Sequence, residues 1–117
     1  MKIFGLVALL ILGGAPDAWP LGDVSKLPPA AGRAMDFAKD IQPIFETHCL
    51  KCHGPEKQKG GWRADVKAEA LQGGDNYAPN IVPGKSAQSP LIHFVAGLEE
   101  DMGMPSKGDP LTAEQQR

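Results

Sequence analysis

The 117-residue chain has little of several things that commonly betray a function. It has no excess of positive charge: 12 Lys and Arg stand against 14 Asp and Glu, giving a net charge of -2. That balance leaves no electrostatic footprint for nucleic acid or for an anionic membrane surface. It has no hydrophobic run of the ~20 residues that a bilayer-spanning helix requires. The apolar stretch from Ile3 to Leu12 falls well short of that. No acid–base pair or nucleophile constellation stands out, so nothing in the chain reads as substrate chemistry. Only two cysteines are present, Cys49 and Cys52, so any covalent staple through sulfur must use this one pair.

Glycine and proline, by contrast, are abundant, with 14 and 11 residues respectively. A chain of this length holds one small domain at most, and such a composition makes it loop-rich. Small loop-rich domains bury little surface in regular elements and usually need a staple. The N-terminus, with Lys2, a brief apolar run and small residues through Ala18, reads as a secretory signal over residues 1–18. Residues 19–35, containing Leu27-Pro28-Pro29-Ala30-Ala31-Gly32, read as a linker. Residues 36–117 are then the domain. The expected location is periplasmic or otherwise extracytoplasmic, with the membrane involved only if the signal stays uncleaved as an anchor.

The chemistry gathers at Cys49-Leu50-Lys51-Cys52-His53-Gly54. Cys-x-x-Cys-His is the spacing that attaches a c-type haem. Two thiols three positions apart sit on one turn, where each can reach one of the two neighbouring vinyl groups of the ring. The next residue, His53, is then carried over the ring face, where its imidazole can bind iron. The competing readings are a disulfide, a thioredoxin-like redox pair, and a zinc site drawn from Cys49, Cys52, His53 and His93. Neighbouring Cys52 and His53 are poor tetrahedral partners, and no strand pattern flanks the motif as a thioredoxin-like βαβ unit requires.

Phe37, Ile41, Ile44, Phe45 and His48 recur at helical spacing. Pro43 is tolerated only in a first turn, so the expected helix runs from Ile41 to Cys52, capped by Asp40 and ended by Gly54-Pro55. Its apolar face is expected to be ordinary core. Trp62 is expected on the haem edge. Arg63 is either a partner for a haem propionate or a surface residue. Asp65 is expected to cap a helix over Val66–Gln72 that stops at Gly73-Gly74. Ser89-Pro90 opens a helix over Leu91–Ala96, closed by Gly97, with Leu91, Phe94, Val95 and Leu98 on one face. Thr112-Ala113-Glu114-Gln115 is a capping box that announces a further helix.

Three residues downstream of His53 are candidates for the second iron ligand: His93, Met102 and Met104. Met35 lies in the expected linker and is set aside. His93 sits among apolar neighbours in a helical segment, where a lone histidine is more often a satisfied side chain. A histidine–methionine pair is the ligand set of low-spin electron carriers, and Met102 and Met104 lie in a Gly/Pro loop that can approach a flat ring. Met104, stiffened by Pro105, is preferred.

The chain resembles the planctomycete-type cytochrome c domain. The resemblance rests on Asp40-Ile41-Gln42-Pro43-Ile44, Cys49 to Pro55, Ile81-Val82-Pro83-Gly84-Lys85-Ser86, Ser89-Pro90-Leu91-Ile92, Met104-Pro105, Lys107-Gly108 and Leu111 to Gln115. It departs where Ser106 follows Met104-Pro105 in place of a second proline, and where Ala64 stands in an Arg-Leu-Asp run. The resemblance implies thioethers at Cys49 and Cys52, His53 as proximal and Met104 as distal ligand of one covalent haem c. It also implies a mostly α, cytochrome c-like fold: three to four short helices and long loops wrapped around the haem, lacking the family's C-terminal helix. Downstream domains of a longer parent protein are expected for that reason. The implied role is that of a mono-haem electron carrier with a redox partner protein, rather than an enzyme. The rival readings are an extracytoplasmic thiol–disulfide oxidoreductase and a haem peroxidase-like enzyme.

Overall fold

The computed structural model describes residues 21–117. The expected signal segment and the first two residues of the expected linker lie outside the described residues. Three short α-helices carry the domain: α1 (Gln42–His48), α2 (Lys67–Gln72) and α3 (Pro90–Val95). A π-helical turn, Phe37–Ile41, leads into α1, and single 3₁₀ turns lie at Val24–Lys26, Lys59–Gly61 and Ser86–Gln88. Among the described residues there is no strand, only an isolated antiparallel bridge between His53 and Gln58. None of their helices is long and apolar enough to cross a membrane. A small, mostly helical domain with long loops is therefore what the chain forms.

The first helical segment begins four residues earlier than expected, and Asp40 is not its cap. Asp36 holds that place: its Oδ1 accepts from the Lys39 N–H at 3.1 Å, while Asp40 Oδ2 accepts from the Asp36 N–H at 2.8 Å. Asp40 also takes both ends of the Arg33 guanidinium, each at 3.0 Å, and these bonds hold its carboxyl below the usual carboxylate range. The segment passes Pro43 because the π turn widens just before it. The Gln42 N–H donates to the Phe37 carbonyl, and Pro43 then falls in the first turn of α1, where a missing N–H costs nothing. The helix also ends earlier than expected, at His48 rather than Cys52.

Asp65 does not cap α2 either. Val66 is in that position without a side-chain bond, because Asp65 is engaged by Arg63 through two bonds of 2.9 and 2.6 Å. Gly73 closes α2 at φ 98°, and a Cβ there would strike the Tyr77 carbonyl, so only glycine fits. In α3, Pro90 is the first helical residue as expected, but Ser89 does not cap with its side chain. Its Oγ accepts from the Val82 N–H at 2.8 Å and donates to the Lys85 carbonyl at 3.0 Å. The orphan Leu91 N–H is instead satisfied by the Asn80 carbonyl at 3.1 Å. The Thr112–Gln115 capping box forms reciprocally, with bonds of 2.9 and 3.2 Å.

The core is small: Trp62, Ala64, Ala70, Leu91, Val95 and Leu111 are buried together, with Ile44, Phe45, Leu50 and Met104 packed against them. Ile44 and Phe45 are thus ordinary core on the face of α1. Trp62 anchors the cluster, since its indole N–H donates to the Ala70 carbonyl at 3.1 Å, one of the carbonyls α2 leaves unpaired at its end. Trp62→Phe keeps most of the packing but strands that buried carbonyl. It is expected to lower stability by about 1–3 kcal/mol in urea unfolding followed by circular dichroism.

Candidate functional site

Beyond His48 the chain makes one further turn, closed on a single oxygen. The N–H groups of Cys52 and His53 both donate to the Cys49 carbonyl, at 3.1 and 2.9 Å. Cys49 is itself held by its N–H to the Phe45 carbonyl at 2.9 Å. The following loop folds back and locks the turn: the Lys59 N–H meets the Cys52 carbonyl at 2.9 Å, and the Ala64 N–H meets the His53 carbonyl at 2.8 Å. Gly54 is buried, and a Cβ there would collide with the Leu50 carbonyl. The glycine after the histidine is thus what lets the loop return so closely.

The His53 ring lies against Trp62, with centroids 5.1 Å apart and planes at 62°. Its Nδ1 is buried without a hydrogen-bond partner. Burial is the main cause that lowers its pKa below the ordinary imidazole range, against a smaller upward pull from the backbone of Lys59 and Trp62. That shift favours the neutral ring, the form in which an imidazole binds a metal. Both cysteines are free thiols. Burial pushes the Cys49 thiol up to about 11.

Cys49, His53, Met102 and Met104 line one cavity. Trp62, Leu91, Phe94, Val95 and Leu111 supply most of its apolar wall. Cys52 is on the same turn but not on the wall. Met104 packs against the core and its N–H donates to the Phe94 carbonyl at 3.0 Å. Met102 is tied only to Glu99 nearby, at 3.3 Å. Met35 is exposed and does not line this cavity. His93 is fully buried elsewhere, with Nε2 2.8 Å from the Ala87 carbonyl and Nδ1 3.7 Å from Glu99. Arg63 is spent on Asp65 and is not on the wall. His48, named above only for its helical spacing, lines the cavity too, as do Tyr77 and Asn80, which carried no signal in the sequence. The last two lie in an irregular stretch whose path is set by close backbone approaches at Gly73 and Gly74 rather than by any period.

The donors present fit a covalently held haem: two free thiols on one turn, a neutral imidazole and thioethers around an apolar cavity. They do not fit zinc. Among the described residues no three His, Cys, Asp or Glu side chains come together as a metal cluster. The βαβ setting of a thioredoxin-like pair is missing as well, since no strand flanks the motif.

The small, mostly helical domain with long loops is consistent with a small cytochrome-like domain. The chain belongs to the planctomycete cytochrome C family, whose sequence model matches residues 49–108. No curated protein and no solved structure matches it.

A thiol with a pKa near 11 is almost wholly protonated at neutral pH. In protein carrying free thiols, Cys49 is expected to alkylate with iodoacetamide roughly a hundredfold more slowly at pH 7 than an unperturbed cysteine. Its rate should climb with pH until about pH 11. Peptide mapping of the alkylated sites checks this, and a rate that levels off near pH 9 would contradict the burial argument.

Proposed function

We propose that the chain is a mono-haem electron-transfer domain, with haem c joined to Cys49 and Cys52 and its iron bound by His53 and Met104. The observation that carries this is the convergence of Cys49, His53 and Met104 on one apolar cavity. When bound, the haem supplies one-electron redox chemistry; the protein supplies ligation, orientation and burial. His53 offers a neutral nitrogen on a turn fixed at both its N–H and its carbonyl. Trp62 packs across that ring and limits its rotation. Met104 is favoured over Met102 because its backbone is fastened to the end of α3, which forms part of the cavity wall. A thioether ligand opposite histidine raises the reduction potential.

This role places the domain outside the cytoplasm, with a redox protein as its partner. The extracytoplasmic placement follows from the signal-like N-terminus and from where such haem attachment takes place in bacteria. A thiol–disulfide role is disfavoured by the raised pKa of the half-buried Cys49, because the thiolate is the reactive form.

The test is expression alongside haem-attachment machinery. A covalent haem band on a denaturing gel is expected for the parent chain, and none for the Cys49→Ser, Cys52→Ser double variant. Met104→Ala should keep the covalent band, lose the weak sulfur–iron charge-transfer absorption and show a lower midpoint potential, whereas Met102→Ala should leave both unchanged. A colourless parent protein would sink the assignment. If Met102→Ala alone removed the absorption, only the distal ligand would need reassignment.

A further inference from the structure

We propose that Asn80 is a positioning residue for the haem, its side-chain amide donating a hydrogen bond to a propionate carboxylate. This rests on the haem-domain reading above and extends it to a residue outside the ligand set.

Asn80 is only 6% exposed, and its Oδ1 is buried with no hydrogen-bond partner. The residue lines the same cavity as His53 and Met104. A buried primary amide with an unpaired oxygen is uncommon and calls for an explanation. Its backbone cannot relax away, since its carbonyl is fixed to the Leu91 N–H at 3.1 Å and its own N lies against Gly73, where no Cβ fits. The side chain is thus held at the wall with unused hydrogen-bonding capacity.

Apart from its iron, a haem offers hydrogen bonds chiefly at its two propionate carboxylates. A carboxylate drawn toward an apolar wall needs donors. Arg63 does not line the cavity, and its Nε and Nη2 are engaged by Asp65. Lys59 lines the cavity and can supply a point charge. The unpaired atom is the acceptor Oδ1, so Asn80 meets a carboxylate only after a half-turn of its amide puts the Nδ2 donor in that place. The other titratable side chains on the wall are His48, His53, Cys49 and Tyr77, and all remain in the variants below.

The sign of the effect follows from charge. The ferric state carries one more positive charge than the ferrous state, so it favours an ionised propionate, and the midpoint potential falls as pH rises through the propionate pKa. A donor to the carboxylate lowers that pKa. Removing the donor raises it and moves the fall in potential to higher pH.

The experiment uses the matured chain with haem attached. Asn80→Leu keeps the volume and removes the amide. Redox titration of parent and variant between pH 5 and 9 is expected to show the fall displaced upward by about one pH unit, a tenfold change in the proton affinity of the carboxyl. Superposable curves would overturn the role of Asn80. If the leucine variant does not fold, Asn80→Ala is read by the same criterion. A parent chain without covalent haem would instead remove the reading on which the proposal stands, so the two failures are told apart on the gel before any titration.

Discussion

One carbonyl oxygen, that of Cys49, takes the N–H groups of both Cys52 and His53, and the geometry of the site depends on that convergence. An α-helix continuing through Cys52 would have separated these bonds and spread the motif along its axis. Ending α1 at His48 and closing a single tight turn keeps the two thiols and the imidazole as one unit. The returning loop then fixes the carbonyls of Cys52 and His53 from the other side. A motif of five residues acquires its rigidity from a loop with almost no regular structure.

The rest of the domain follows from how little core there is. Three helices of six or seven residues cannot enclose much apolar surface, and short helices are not stable by propensity alone. Side chains and loops supply the terminal bonds the helices lack: Trp62 to the end of α2, Asn80 to the start of α3, Ser89 to the loop before it. These same loops carry cavity residues. Support of the helices and shaping of the cavity are therefore one set of interactions, and a group filling the cavity would consolidate both.

Much of this was legible in the sequence. The Cys-x-x-Cys-His turn, the three helices, the stops at Gly73 and Gly97 and the packing face of α3 all rest on local rules of spacing, proline and glycine. What was not legible involved competition between partners. Asp40 and Asp65 have the chemistry of caps, yet each is captured by an arginine close by, Arg33 and Arg63, and a sequence does not rank those bonds. Pro43 was read correctly as a first-turn residue, but the π turn before it moved the true cap to Asp36. Tyr77 and Asn80 reach the cavity through an aperiodic loop, for which no spacing rule exists.

Burial acts on Cys49 and His53 in the same sense, toward the neutral form. A zinc site needs thiolates and recovers the cost of ionising them through the metal. Here burial drives the Cys49 thiol the other way, to about 11, and among the described residues no three His, Cys, Asp or Glu side chains come together. A thioether, in contrast, is neutral sulfur, and it sits in an apolar wall without any desolvation cost for charge. The imidazole makes the complementary choice. Burial lowers the affinity of His53 for a proton and so weakens the competition of protons for its lone pair. Burial thus favours the neutral form of both groups, the sulfur of Cys49 and the imidazole of His53, on the same turn.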